Sequence, residues 1–304
     1  MLRRLCMDRP QESLGRGIVV LGMHRSGTSA VTGVMDALGL PACIASDRFP
    51  TQRWNARGNY ESSSLSIFDD QLLQLMGATW WAPPALSAGW AGRRELSGMR
   101  DRARRLFAAA HPTGRWVWKD PRACLLMPFW DLVLGPGTPR LVVLRNPAES
   151  AASLLERNGI PREHAYALTE RSLGRSLRDS AGRPVLITSY DDLMGGIDDW
   201  CRRAAAFASA NGVPMPQPLP ISAAAGFVDA SLRHHREPAD LAKEQGVSLG
   251  LRRLWSWAME RRGAHDSLSV KGLPRESQAT SALLQGILIG YRLAFTPELG
   301  APRG

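Results

Sequence analysis

The stretch VVLGMHRSGTSAVTGVMDALGL, residues 19–40, carries the clearest structural signal in the chain. Its apolar start ends at Gly22, and after a short loop apolar residues return at helical spacing, at Val31, Val34 and Leu38. This pattern predicts a buried strand, a tight glycine loop and an amphipathic helix. Because the first turn of a helix has unpaired N–H groups at the positive end of the helix dipole, we expect the loop to bind an anion.

The loop differs from the phosphate loop of nucleotide-hydrolysing proteins. Gly22 and Gly27 have the spacing G-x-x-x-x-G, but Thr28 and Ser29 stand where that loop has a lysine and a hydroxyl residue. Arg25 supplies a positive charge instead. A plain glycine turn between strand and helix is the alternative interpretation. We predict an anion site made by Arg25, Ser26, Gly27, Thr28 and Ser29.

Four short apolar runs look like buried parallel strands, because each is continuous rather than alternating. Helical patterns separate them, which is typical of βα units with right-handed crossovers. The sequence therefore predicts an α/β fold with one doubly wound parallel sheet and helices on both of its faces. The four runs are residues 17–21, 115–118, 140–144 and 184–188.

The domain organisation follows from the distribution of these elements. Residues 1–16 are expected to form a flexible tail and residues 17–304 a single domain. Within it, residues 17–211 make the α/β core, and a proline-rich break at 212–220 opens a mostly helical extension, 212–304. Helices are expected in the extension at 239–260 and 277–295.

Ligands of such sheets bind at the carboxyl ends of the strands, so the residues that follow each run are candidates. Lys119 follows the second run directly, although a surface salt bridge is an alternative role for it. Arg145 ends the third run, and Ser153 follows eight residues later. Tyr190 follows the fourth run, where its ring could lie against a flat base or simply belong to the core.

Composition narrows the class of protein. The net charge is +10, but the basic residues are scattered and form no nucleic-acid motif, so we expect no nucleic-acid partner. Of 38 basic residues only Lys119, Lys243 and Lys271 are lysines, which makes Lys119 conspicuous. The four cysteines show no metal-binding or disulfide spacing, so no metal site is expected. No apolar run is long enough for a membrane span and no signal peptide is visible, which predicts a cytoplasmic protein.

Taken together, the segments after the strands resemble the sulfotransferase family, which uses 3′-phosphoadenosine 5′-phosphosulfate (PAPS). Residues 25–29, RSGTS, are similar to its 5′-phosphosulfate loop, and LRNPAESAAS, residues 144–153, to its 3′-phosphate motif. SYDDL, residues 189–193, is similar to its Tyr-Glu-Asp-Leu element, and WKDPR, 118–122, to a segment of bacterial carbohydrate-type members. The resemblance covers roughly residues 17–210.

The resemblance implies a P-loop-like fold and roles for individual residues. PAPS would be the co-substrate, with no metal. Arg145 and Ser153 would hold the 3′-phosphate, and Tyr190 would approach the adenine. The loop, Arg25 to Ser29, would hold the 5′-phosphosulfate, and residues 17–211 would be the nucleotide-binding core.

Two elements of the family pattern are absent or displaced. The histidine that serves as base in cytosolic members has no counterpart, since Pro121 stands in its place. We therefore expect a carboxylate base, Glu61 first and Asp120 second, with Arg25 and Lys119 neutralising the sulfuryl oxygens. The late glycine-rich element is also not visible, and SLRHHR, residues 231–236, is the candidate to replace it.

The acceptor is open. Tryptophans in the segment expected to wall the acceptor side suit sugar or aromatic rings, although they could equally be core residues; they are Trp54, Trp80, Trp81 and Trp90. We expect a small-molecule or glycan acceptor, with a carbohydrate hydroxyl first and a lipid or aromatic metabolite second. A P-loop kinase or NTPase-like phosphotransferase and a non-catalytic PAP- or PAPS-binding homologue are the alternatives, and homo-oligomerisation is open.

Overall fold

The computed structural model describes residues 14–51, 58–228, 241 and 244–295 of the 304-residue chain. At its centre lies one five-stranded sheet. The strands are β1 (Arg16–Leu21), β2 (Arg115–Lys119), β3 (Arg140–Leu144), β4 (Val185–Ser189) and β5 (Gly263–His265). Their order is β2-β1-β3-β4-β5; the first four run parallel, and β5 runs antiparallel to β4.

Eleven helices surround the sheet in the part of the chain that is described. They are α1 (Thr28–Ala37), α2 (Ser63–Leu75), α3 (Ser97–Ala110), α4 (Ala123–Leu134), α5 (Pro147–Asn158), α6 (Arg162–Arg178), α7 (Tyr190–Gly195), α8 (Ile197–Ala210), α9 (Ile221–Phe227), α10 (Leu249–Glu260) and α11 (Gln278–Phe295). None of the described helices is both long and apolar enough to cross a membrane.

The side chains of successive residues in β1 point to opposite faces of the sheet. Val19 and Leu21 pack in one core with α2, α3 and α4, whereas Ile18 and Val20 pack in a second core with α1 and α8. All four side chains are fully buried. A strand covered on both faces has no polar side, which is why its sequence is a continuous apolar run. The predicted α/β fold with helices on both faces of a largely parallel sheet is confirmed.

The four predicted strands lie within one residue of the observed ones. β5 was not predicted, because three residues are too few to show a pattern. Of the expected tail, residues 1–13 lie outside the described residues. Leu14 already lies beside the sheet, since its carbonyl accepts a hydrogen bond of 2.8 Å from the indole of Trp116.

The expected helix at 239–260 begins later than predicted, at Leu249. Gly246 has a φ of 79°, a left-handed conformation that interrupts a helix. The hydroxyl of Ser248 then accepts the backbone N–H of Leu251 at 2.9 Å and caps the new helix. The candidate segment at 231–236 lies outside the described residues.

A buried carboxylate attaches the C-terminal helices to the core. Glu170, in α6, is only 1% exposed. It accepts hydrogen bonds from the hydroxyls of Ser248 at 2.6 Å and Thr280 at 2.5 Å. It also accepts the backbone N–H of Ser277 at 2.7 Å and its hydroxyl at 3.1 Å. One side chain of the core thus binds the starts of both α10 and α11.

We expect the substitution Glu170→Gln to destabilise the protein by about 2–4 kcal/mol, because an amide NH₂ would face donors and the charge-assisted bonds would be lost. Urea unfolding measures the change. The control is Glu260→Gln, whose side chain is 73% exposed, and which should change stability by less than about 0.5 kcal/mol. Equal unfolding midpoints for the two variants would contradict the role of Glu170.

Candidate functional site

The site is built around the loop between β1 and α1, at the carboxyl edge of the sheet. Arg25 and Gly27 both have left-handed backbone conformations, with φ of 68° and 89°, and these turn the chain sharply into the helix. No described side chain caps the start of α1 at Gly27. The hydroxyl oxygen of Ser26 is buried and has no hydrogen-bond partner among the described residues. Unpaired donors of this kind suit an anion.

The ring of Tyr190, at the start of α7, packs against the loop at Gly27. A Cβ added to Gly27 would lie 2.4 Å from a ring carbon of Tyr190, so only glycine fits at this position. The ring is held in place by a capping box. Ser189 accepts the N–H of Asp192 at 3.0 Å, and the carboxylate of Asp192 accepts the N–H of Ser189 at 2.8 Å.

A first cationic cluster lies on one side of the loop. The Nε of Arg25 donates to the hydroxyl of Ser153 at 2.8 Å, and Arg145 donates to the carbonyl of Arg25 at 3.0 Å. Arg145 also pairs with Glu149 at 2.9 Å, and its guanidinium lies 5.0 Å from the centre of the Tyr190 ring. Four residues named from the sequence therefore meet here: Arg25, Arg145, Ser153 and Tyr190.

The electrostatics of this cluster favour a bound anion. Burial, and then the positive charges of Arg157 and Arg145, lower the pKa of Arg25 to about 10. A bound anion would relieve that repulsion. Sequence reasoning missed Arg157, although its position was a usable signal: it lies four residues after Ser153, on the same face of α5.

A second cluster lies where β2 ends. Lys119 is 1% exposed, and its Nζ contacts the hydroxyl of Ser29 at 3.0 Å and forms an ion pair with Glu61. These three residues come from β2, the first turn of α1 and the residue that precedes the N-cap of α2. Two residues that the sequence named separately, Glu61 as a base and Lys119 as a cation, are thus in direct contact.

The position of Glu61 depends on a serine-rich helix start. Ser62 caps α2 by accepting the N–H of Leu65 at 3.1 Å. Asp47 accepts hydrogen bonds from the hydroxyls of Ser62, Ser63 and Ser64. Burial alone would raise the pKa of Asp47, but these hydrogen bonds outweigh it and hold the pKa below its usual value. The carboxylate therefore stays ionised and anchors the segment that carries Glu61.

Asp120 is fully buried, and both oxygens of its carboxylate already accept hydrogen bonds. It accepts the hydroxyl of Ser66 at 2.6 Å, and it accepts the backbone and side-chain N–H groups of Arg122 at 2.8 and 3.2 Å. Burial would raise the pKa of Asp120, but Arg122 and Ser66 outweigh it and lower the pKa. Arg122 in turn donates two hydrogen bonds to the carboxylate of Asp70, at 2.5 and 2.8 Å. Asp120 therefore organises the loop after β2.

The tryptophans named from the sequence have different environments. Trp90 is a core residue stacked on Phe129, whereas Trp80 packs against the ring of His24 at a centroid distance of 4.1 Å. Trp81 meets Tyr291 edge to face. Trp54 lies outside the described residues. His24 was missed by sequence reasoning, because a single histidine in a loop carries no pattern.

Comparisons with known proteins add little. No family model matches the chain, and no curated protein matches it. Among solved structures it is similar to a sulfotransferase domain from the olefin synthase of Synechococcus PCC 7002, with 17% sequence identity and a TM-score of 0.42. The match covers 91% of this chain and 96% of that one. So distant a likeness carries no information about activity, and function is inferred from the site.

The described residues contain no group of three or more His, Cys, Asp or Glu side chains that could hold a metal ion.

We expect Gly27→Ala to destabilise the protein by about 1–3 kcal/mol, because the left-handed backbone is strained for alanine and the new methyl would overlap Tyr190. Thermal unfolding measures the loss. Gly98→Ala in α3 is the control, since an added Cβ there meets nothing within 4 Å. Adding Tyr190→Ala should recover the part of the loss that is due to overlap. A Gly27→Ala protein as stable as Gly98→Ala would refute the close packing.

Proposed function

We propose that the protein transfers the sulfuryl group of PAPS to a hydroxyl of a small-molecule or glycan acceptor. The observation that carries this proposal is the placement of basic side chains on both sides of one uncapped helix start. Arg25, Arg145 and Arg157 lie on one side, and Lys119 lies on the other. Basic side chains in two separate places suit a nucleotide with two separated anionic groups, as PAPS has, better than one with a single phosphate chain.

The chemistry of the site fits this co-substrate. The unpaired hydroxyl of Ser26, the backbone of Gly27 and the hydroxyls of Thr28 and Ser29 would hold the 5′-phosphosulfate. Arg145 and Ser153 would hold the 3′-phosphate, and Tyr190 would lie near the base. The contact of Arg25 with Ser153 argues that its guanidinium serves the 3′-phosphate as well, rather than only the sulfuryl oxygens as the sequence suggested.

In the proposed mechanism, PAPS supplies the sulfuryl group and the protein supplies charge and a base. The ammonium of Lys119 would neutralise negative charge that grows at the reacting centre, an effect that is strong where water is excluded. Ser29 and Glu61 fix that ammonium in position. Glu61 would take the proton of the acceptor hydroxyl.

Glu61 is preferred over Asp120 as the base because of their surroundings. Asp120 has both oxygens occupied and no exposed surface, whereas the side chain of Glu61 is 15% exposed. A base must reach the proton that it removes, so partial access matters.

The alternative of an ATP- or GTP-dependent phosphotransferase would need a lysine in the loop and an acidic ligand for Mg²⁺. Arg25 occupies the loop, and the carboxylate of Asp120 is committed to Ser66 and Arg122. A non-catalytic nucleotide-binding protein would have no use for the Lys119–Glu61 pair. Binding and turnover experiments separate the three.

We expect PAP to bind more tightly than AMP or ATP, and Arg145→Ala to remove most of that preference. Loss of a charge-assisted phosphate contact of about 1.5–3 kcal/mol corresponds to about ten- to hundredfold in affinity. Isothermal calorimetry measures it, with Arg203→Ala as the control, because that side chain is 53% exposed and remote on α8. Equal affinities of the unmodified protein for PAP and AMP, or tighter binding of ATP, would overturn the proposal.

We expect Glu61→Gln to lower turnover by about 10²–10⁴-fold, because the amide cannot accept the proton. The affinity for PAP should change by less than about threefold, since Glu61 is proposed to touch no part of the nucleotide. Release of PAP from PAPS, with a panel of phenols and sugars as acceptors, measures turnover. If Glu61→Gln is active and Asp120→Asn is inactive yet folded, Asp120 is the base. If the protein binds PAP but does not convert PAPS to PAP with any acceptor or with water, the binding-only alternative holds.

A further inference from the structure

His24 stands in the anion-binding loop, beside the Lys119 cluster, with a polar atom that lacks a partner. Its Nε2 is buried and makes no hydrogen bond to any described residue. Buried polar atoms in proteins are nearly always bonded, so this one, next to the proposed reaction site, calls for a partner that the described residues do not supply, a water molecule or a ligand atom. Two other histidines behave differently: Nε2 of His164 bonds the carbonyl of Trp81 at 2.7 Å, and Nε2 of His265 bonds that of Arg261 at 2.8 Å.

The ring nitrogens of His111 also have no hydrogen-bond partner among the described residues, but for a different reason. It lies inside an aromatic cluster with Phe107 and Trp116, far along the chain from the loop and at the opposite end of β2 from Lys119. Burial lowers its pKa to about 3, so it stays a neutral core residue. Its position does not lead to a ligand site, whereas that of His24 does.

Trp80 and Trp81 form an aromatic wall beside His24, and hydrogen bonds fix the turn that carries them. Trp80 and Trp81 are the central residues of a turn in which Thr79 and Ala82 bond each other in both directions, at 3.0 and 3.2 Å. The ring of Trp80 lies 4.1 Å from that of His24, at an angle of 39°. The wall is therefore formed before any ligand arrives.

Two helices outside the turn hold it in place. His164 of α6 bonds the carbonyl of Trp81, and Tyr291 of α11 meets the Trp81 ring edge to face at 5.3 Å. Ala78 and Ala82, on either side of the tryptophans, are fully buried against Leu288 of α11. The C-terminal extension thus supports the acceptor side.

The imidazole of His24 is neutral near pH 7. Burial, and then the positive charge of Arg122, lower its pKa well below the usual value; Asp120 opposes them less strongly, and Lys119 lowers the pKa by a still smaller amount. A neutral imidazole has one donor nitrogen and one acceptor nitrogen. A hydroxyl can both donate and accept, so it matches Nε2 in either tautomer.

We propose that His24 and Trp80 form an acceptor-binding subsite for a ring that carries at least two hydroxyls, a sugar ring or a dihydroxylated aromatic ring. The ring would lie on Trp80, and one hydroxyl would bond Nε2 of His24. A second hydroxyl of the ring would react, with Glu61 as its base, so that the first stays bonded to His24 while the second gives up its proton. The subsite rests on the proposed function for the identity of that reaction.

The direct test is an NMR titration of protein labelled with ¹⁵N-histidine and saturated with PAP. The probes are methyl β-D-glucopyranoside and catechol, and His24→Asn assigns the His24 signals. We expect one probe to shift the ring nitrogens of His24 saturably while those of His265 stay in place. Trp80→Ala should weaken that probe by about tenfold or more, because the stacking surface is lost. If neither probe moves His24, or Trp80→Ala changes nothing, the subsite is overturned.

A second measurement separates binding from proton transfer. Hydrolysis of PAPS to PAP and sulfate uses water as the acceptor, which has no ring and no second hydroxyl. We expect His24→Asn to slow it much less than Glu61→Gln does. An equal loss in both variants would make His24 part of the proton-transfer step and would overturn its assignment to the second hydroxyl.

The subsite and the proposed function can fail separately. Protein that binds PAP by calorimetry but whose His24 signals ignore both alcohols overturns the subsite alone. Protein that does not bind PAP overturns the proposed function, and the same titration without PAP then decides the subsite.

Discussion

The ion pair of the buried Lys119 with the partly exposed Glu61 is the interaction around which the site is arranged. It joins the end of β2 to the start of α2, and through Ser29 it reaches the first turn of α1. Taking the charge of Lys119 out of water is costly, and a largely buried pair often contributes little net stability. Other polar contacts nevertheless hold the neighbouring segments in place. Serine hydroxyls donate to Asp47, and the guanidinium of Arg122 bonds the carboxylate of Asp70. Such a pair is better explained by chemistry at the sheet edge than by stability.

The positive charges around the loop are guanidinium groups on one side and an ammonium group on the other, and each group suits its position. Arg25 and Arg145 present planar guanidinium groups that bond Ser153, Glu149 and a backbone carbonyl in fixed directions. Lys119 presents a compact ammonium at the point where the proposed reaction takes place. A guanidinium orients a phosphate through several bonds, whereas an ammonium acts as a point charge. In a chain with only three lysines, this position is one where arginine was not used.

The C-terminal helices are part of the site although they lie far from the loop in sequence. Glu170 binds the starts of α10 and α11 to α6. α11 then supports the turn that carries Trp80 and Trp81, and Trp80 meets His24. In the proposed function, the nucleotide side would be formed by the first two hundred residues, while the acceptor side would also depend on the extension.

The four parallel strands, and the positions at which candidate binding residues follow them, could be predicted from the sequence alone. Buried parallel strands are continuous apolar runs, and Lys119, Arg145 and Tyr190 come directly at or after such runs. Which side chains meet could be seen only in the folded protein: Arg25 with Ser153, Glu61 with Lys119, Asp120 with Ser66, and His24 with Trp80. These partners are more than fifty residues apart in the chain, and their contacts depend on how loops and helices pack on the sheet. Local sequence patterns report the backbone and its burial, whereas the direction of a charged side chain depends on whichever distant groups neutralise or bond it.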